Sequence, residues 1–177
     1  PFDETAVDLL ESLATPVYKI ASFEMTDIPL IKYVAKTGKP MIISTGMANL
    51  DEISEAVSVV RENGCQDLVL LHCISSYPTP VEQSNLLTIP DLAKRFNTIV
   101  GLSDHTMGTV VATTSVALGA SVIEKHLTLS RNLIGPDHLS SILPSELKHM
   151  ISSIRNIEIA LGDENKPVTS SERKIEK

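Results

Sequence analysis

The stretch Thr98–His126, TIVGLSDHTMGTVVATTSVALGASVIEKH, holds one complete repeat of the fold. Thr98–Leu102 reads as a strand, Val110–Leu118 as a helix closed by Gly119, and Ser121–Lys125 as the next strand. Both strands are continuous apolar runs, the pattern of a strand covered on both faces. Each then runs into polar residues with chemistry to offer. Ser103-Asp104-His105 follows the first, and Glu124-Lys125-His126 ends the second.

The same unit recurs on the N-terminal side, where Val17–Ala21, Met41–Ser44 and Leu68–His72 are further strand candidates. Successive strands start about 23–30 residues apart, the spacing of a βα unit. Ala6, Leu9, Leu10 and Leu13 suggest an apolar stripe on a first helix. Asp27 before Ile28-Pro29 opens a second, which Gly38 ends. Asn49 and Glu52 have capping-box spacing, and Leu50, Ile53, Val57 and Val60 follow at helical intervals. Pro90 opens a helix through Leu92, Ala93 and Phe96. The last helix, Pro144–Leu161, carries Leu147, Met150, Ile151, Ile154, Ile157 and Leu161 on one face, and Gly162 stops it. Residues 1–162 thus form one domain, and the polar stretch 163–177 reads as a linker leading out of it.

Composition narrows the functional classes. The 177 residues are 42% apolar and 21% charged, with a formal net charge of −7. That balance excludes nucleic acid or an anionic membrane surface as the main partner. There is no apolar run of membrane-spanning length and no signal-peptide pattern at the start. Cys65 and Cys73 do not make a disulfide framework, so a cytoplasmic location is expected. The chain starts at Pro1 without a methionine and reads like a piece of a longer one.

Alternating βα units fit either an open doubly wound sheet or a closed barrel. Neither glycine-rich phosphate loop of the open-sheet folds occurs. Every strand instead finishes in a polar cluster: Lys19 with Ser22 and Glu24, Ser44-Thr45-Gly46, His72-Cys73 with Ser75-Ser76-Tyr77, and the two clusters above. Barrels build their sites from strand ends converging at the C-terminal mouth. The expectation is an α/β fold, a partial TIM (β/α)₈ barrel with about five C-terminal βα units.

His105 and His126 are the metal-ligand candidates, the alternative being buried imidazoles bonded to backbone carbonyls. Lys19, Ser22, Ser44 and Ser103 offer one positive charge and three hydroxyls to an anion, unless the serines only cap helices. Lys125 needs a partner inside an apolar strand, and Glu124 alternates to the other face. Lys19 or Lys125 is also a possible Schiff-base nucleophile. His72 and Cys73 point to opposite sides and cannot form a dyad, so Cys73 reads as packing. His138 lies in a loop, where exposure competes with ligand contact, and His149 reads as surface.

Lys19-Ile-Ala-Ser-Phe-Glu24, Ser44-Thr-Gly-Met47, His72-Cys-Ile-Ser-Ser-Tyr-Pro-Thr-Pro80, Gly101-Leu-Ser-Asp-His-Thr106, Glu124-Lys-His126 and Gly135-Pro-Asp-His138 together resemble the N-acetylneuraminate synthase family. The resemblance runs from about Pro1 to about Ala160 and keeps the order and spacing of all six segments. It implies a cytoplasmic enzyme condensing phosphoenolpyruvate with N-acetylmannosamine to give sialic acid and phosphate. Legionaminic and pseudaminic acid synthases share the motifs. The cofactor implied is Mn²⁺ or Mg²⁺ on His105 and His126. Phosphoenolpyruvate contacts fall on Lys19, Ser22, Ser44 and Ser103, with Ser75 near another polar contact. Glu24 falls beside the reacting carbons, Tyr77 and Asp137 face the sugar, and Phe2 lies in a stretch lining the pocket. Further barrel strands before Pro1, an antifreeze-like domain after the linker and a homodimer are also implied. A Schiff-base aldolase and a non-catalytic barrel fragment are the readings from other classes.

Overall fold

Residue types at the helix starts account for most of the local structure, which the computed structural model describes for residues 1–175. The last two residues of the expected linker lie outside that range. The Asp3 carboxylate accepts the Ala6 N–H and so caps α1 (Glu4–Ser12). Asp27 does the same for α2 (Ile28–Ala35) through Leu30 N–H, with Pro29 in the first turn. Asn49 and Glu52 form the reciprocal capping box of α3 (Leu50–Glu62). α4 (Thr88–Phe96) starts two residues ahead of the expected Pro90, which sits in the first turn, where its missing N–H has no helical partner to lose. α5 (Val110–Ala117) and α6 (Pro144–Leu161) complete the set, and Gly162 ends α6 at φ 56.

Five strands alternate with these helices: β1 (Tyr18–Ile20), β2 (Met41–Ser44), β3 (Leu68–Cys73), β4 (Ile99–Asp104) and β5 (Val122–Lys125). They form one parallel sheet in the order β1-β2-β3-β4-β5, curled as a half-barrel with β1 and β5 at its edges. β3 and β4 run further than expected, to Cys73 and Asp104, because their polar ends still pair with the next strand.

Strand alternation divides the side chains between two faces. Tyr18, Ile20, Met41, Ile43, Leu70 and Leu102 face the helices and join one buried cluster with residues of α2, α3 and α4. Each aliphatic side chain buried there contributes roughly 1.5–3 kcal/mol. The concave face is apolar at its N-terminal end, where Ile42, Val69 and Ile99 border a cavity of about 370 Å³. At the C-terminal end the same face becomes polar.

Two expected stripes shift. On α1 the buried residue is Val7, while Leu9 and Leu13 stand 60% and 69% exposed. Val7 and Leu10 lie three apart on the face toward the core, which the spacing of the leucines alone obscured. On α6, Met150 is buried with Leu147 and Ile154 beside it, but Ile151 and Leu161 are exposed. The eighteen-residue α6 is longer than the eight-residue α5 it packs on, so among the described residues its last turns extend past that partner. Ile151 lies on the face away from Met150's contacts. No helix among the described residues is long and apolar enough to cross a membrane.

Candidate active site

Three loops meet around Gly46. Ser22 opens the short helical turn Ser22–Glu24 after β1, and its hydroxyl accepts the Gly46 N–H at 3.0 Å. A side chain at Gly46 would place its Cβ 2.3 Å from Ser75 Oγ and 2.7 Å from Ser22 Oγ. Glycine after β2 therefore lets the Ser22 and Ser75 hydroxyls close in on this loop. Among the described residues, Ser44 Oγ at the end of β2, Ser75 Oγ beside Gly46 and Glu24 Oε2 in the turn after β1 are buried without a hydrogen-bond partner. Such a group costs about 1–3 kcal/mol when left unpaired, so three of them at neighbouring strand ends call for an external partner. Ser84 Oγ is also unpartnered, but it belongs to the helix side, beside His72.

Lys19 and Ser103 are brought together by Glu124, a motif residue to which the sequence assigned no role. Ser103 donates to Glu124 Oε1 at 2.7 Å, and Lys19 Nζ stands 3.6 Å from Glu124 Oε2. Glu124 and Ser103 are register partners, and alternation puts both on the concave face. Lys19 also donates to the Ile20 carbonyl at 2.9 Å, leaving N–H groups for a ligand.

His105 and His126 also stand on this face, with ring centroids 5.3 Å apart and planes nearly perpendicular. Tyr77 lies against both, 4.1 Å from the His105 ring and 5.5 Å from that of His126. His105 Nδ1 faces the Ile74 carbonyl at 2.9 Å. A carbonyl only accepts, so Nδ1 carries the proton and Nε2 keeps a free lone pair. Burial lowers the His105 pKa, but Cys73 and the Ile74 carbonyl outweigh it and the net shift is upward. His126 Nδ1 is 3.8 Å from Asp137 Oδ2. A cavity of about 350 Å³ adjoins, lined by Tyr77, Pro78, Met107, Pro136, Asp137 and Leu139.

Cys73 is not mere packing. Its Sγ lies 3.9 Å from His105 Nδ1, on the next strand. Burial pushes its thiol pKa up, but contacts with His105, Ser22 and Ser103 pull it down further. The separation from His72 stands: His72 Nε2 meets the Ser84 carbonyl at 2.7 Å on the helix side.

Lys125 also differs from expectation. Its partner is Asp104, at 2.8 Å, with both side chains almost fully buried on the helix-facing side. That placement removes Lys125 from the mouth and from any Schiff-base role there. His138 Nδ1 is 2.8 Å from Thr128 Oγ1 and holds its own loop, and His149 is exposed. Phe2 is 76% exposed ahead of α1 and lines neither cavity.

Among the described residues no group of three or more His, Cys, Asp or Glu is placed to hold a metal. Two imidazoles on one face, one with its lone pair released by the Ile74 carbonyl, still fit an ion whose other positions go to water and substrate.

The NeuB family profile matches residues 1–166. An uncharacterized protein of Methanocaldococcus jannaschii is 53% identical over 99% of this chain and 52% of its own length. N,N'-diacetyllegionaminic acid synthase of Campylobacter jejuni is 48% identical over 98% of this chain and 53% of its own length. The crystal structure of N-acetylneuraminic acid synthetase from Leptospira borgpetersenii aligns with a TM-score of 0.91 at 34% identity. That alignment covers 99% of this chain and 61% of the other. The chain thus spans about half the length of the curated relatives it matches.

Proposed function

The chain belongs to the NeuB family, and on that premise we propose that it carries the strand-end site of a metal-dependent sugar-acid synthase. The reaction is condensation of phosphoenolpyruvate with an N-acetylated amino sugar, N-acetylmannosamine first, giving a sialic acid and phosphate. The observation that supports it is the trio of unpartnered buried groups, Ser44, Ser75 and Glu24, at the same end of the sheet as His105 and His126.

Lys19 supplies the positive charge for the phosphate, and Ser22, Ser44 and Ser75 supply hydroxyl donors around it, with Ser103 joining them once its hydroxyl turns away from Glu124. His105 and His126 would hold the divalent ion, which in that position supplies Lewis-acid polarisation of the sugar aldehyde. Carbon 3 of phosphoenolpyruvate bonds to the aldehyde carbon, and positive character develops at carbon 2. Water adds there, and its released proton passes on to the aldehyde oxygen, now an alkoxide. The C–O bond to phosphate then breaks as the carbon 2 hydroxyl gives up its proton and becomes the ketone. Glu24 has a free carboxylate oxygen to face that positive charge and take the proton of the water. Tyr77 and Asp137 border the cavity beside the histidines and orient the sugar.

The test is phosphate release by the full-length protein given phosphoenolpyruvate, the sugar and Mn²⁺, with Mn²⁺ binding followed by calorimetry. His105→Ala and His126→Ala should each abolish binding and turnover. Turnover that survives chelation and either substitution overturns the reading, and borohydride trapping on Lys19 would establish the aldolase instead. A second reading of the sugar is favoured by the 48% identity to the legionaminic acid synthase. The apolar walls at Met107 and Leu139 suit a sugar with two acetamido groups. A higher kcat/KM for that sugar than for N-acetylmannosamine decides between them.

A further inference from the structure

We propose that Asp104 and Lys125 are positioning residues, a buried ionic clamp that joins the ends of β4 and β5 and thereby sets the spacing of His105 and His126. The inference rests on the metal-site reading above. Asp104 and Lys125 are register partners across the β4–β5 ladder, and each immediately precedes one of the two histidines. Alternation turns the pair toward the helices and the two imidazoles toward the site. The clamp therefore acts on the histidines through the backbone and touches no ligand.

Every polar atom of the pair is hydrogen-bonded. Lys125 Nζ donates to Asp104 Oδ2 at 2.8 Å and to the Thr106 carbonyl at 2.7 Å. Asp104 Oδ1 accepts the Thr106 N–H and its hydroxyl, both at 2.8 Å. The side chains of Lys125 and Asp104 are 4% and 1% exposed. Residues 104 and 106 are thus both tied to β5, with His105 between them. The His105 carbonyl is held in turn by Thr79 N–H at 2.9 Å, from the loop after β3.

Dehydrating two opposite charges is costly, and a close-packed apolar pair at such a place is often as stable or more so. What the ion pair adds is a single allowed alignment. In the observed register Lys125 reaches Asp104 and the Thr106 carbonyl together, and the two imidazole rings stand 5.3 Å apart. An apolar pair tolerates small slips along the ladder and rotations of the strand ends.

The experiment uses the full-length protein, Lys125→Met, the paired replacement Asp104→Leu with Lys125→Met, and Val60→Ala in the core of α3 as a stability control. Thermal melting and Mn²⁺ affinity by calorimetry are read for each. Nuclear Overhauser contacts between the Tyr77 ring and both imidazoles are read without metal. The paired replacement should melt near the wild type yet bind Mn²⁺ about 10- to 100-fold more weakly. Its Tyr77–His126 contacts should weaken. Val60→Ala should lower the melting temperature and leave affinity and contacts unchanged. If Lys125→Met does not fold, the paired replacement and Lys125→Arg carry the test. Wild-type affinity and wild-type ring contacts in the paired replacement overturn the clamp, as does an equal loss of affinity in Val60→Ala. Failure of the wild type to bind Mn²⁺ overturns the metal reading, and the ring contacts then decide the clamp by themselves.

Discussion

Replacing Gly46 by alanine separates anion binding from folding. Gly46 is not among the positive-φ residues, so its backbone accepts an alanine and the effect is steric. The new Cβ would stand 2.3 Å from Ser75 Oγ, 2.7 Å from Ser22 Oγ and 3.2 Å from Cys73 Sγ. Relaxed contact needs about 3.5 Å, so both hydroxyls must retreat, Ser75 by about 1 Å. Ser75 loses no hydrogen bond by rotating, since it has none. Ser22 loses the bond it accepts from Gly46 N–H, worth about 0.5–1.5 kcal/mol. Stiffening the unfolded chain offsets about 0.4–1 kcal/mol of that. The net stability change should stay within about 1 kcal/mol.

Binding should respond far more. A hydrogen bond to a charged ligand contributes about 1.5–3 kcal/mol, and two donors are displaced together. The low end of that sum is about 3 kcal/mol, or roughly a hundredfold in Kd for phosphoenolpyruvate. Calorimetry on the full-length protein measures that loss, and denaturant melts measure the stability. Phosphoenolpyruvate binding within threefold of the wild type would refute the placement of the anion on Ser22 and Ser75.

Lys19→Ala should raise KM for phosphoenolpyruvate about tenfold to a hundredfold while moving KM for the sugar little, because only one charged phosphate contact is lost; equal changes in steady-state assays contradict it. Ser44→Ala removes a buried hydroxyl with no partner and should stabilise the free protein by about 1 kcal/mol in denaturant melts while weakening phosphoenolpyruvate binding. Gly101→Ala would drive a Cβ to 2.2 Å from the Val122 carbonyl oxygen, backbone that cannot rotate aside, and should cost about 3 kcal/mol or more in a urea titration. His72→Leu leaves the Ser84 carbonyl unpaired and should cost about 1–3 kcal/mol at neutral pH. Burial holds the His72 pKa below its ordinary 6.5. The unfolded chain therefore takes the proton first, and wild-type stability falls as pH drops below about 6.5. The leucine variant should lack that part of the slope, which melts across pH 5–8 would show.

Features set by neighbours in sequence were legible, and those set by strand register were not. The Asn49–Glu52 box, the Asp27 cap and the stop at Gly162 are spacings of a few residues, and the structure forms them where the sequence places them. The five polar strand ends were equally visible, since each is one short segment. The Cys73–His105 contact spans 32 residues, and the Lys125–Asp104 and Ser103–Glu124 bonds each span 21. Alternation says which face a residue takes but not which neighbour it meets there. One signal was available: Ser-Asp-His and Glu-Lys-His end consecutive strands, so aligning the two histidines pairs Asp104 with Lys125 and Ser103 with Glu124.

That alignment also explains how one short sheet carries both stability and chemistry. On β4, Val100 and Leu102 face the helices while Ser103 and His105 face the site, and on β5 Ile123 and Glu124 divide the same way. Each strand therefore contributes to a core on one side without the site on the other having to pack. The apolar cluster against α2, α3 and α4 is extensive enough to tolerate a few kcal/mol of unpaired polar groups at the strand ends. Asp104 and Lys125 are where the two requirements meet. They are charged residues placed on the core side, and they lie there because the residues that follow them, His105 and His126, have to point the other way.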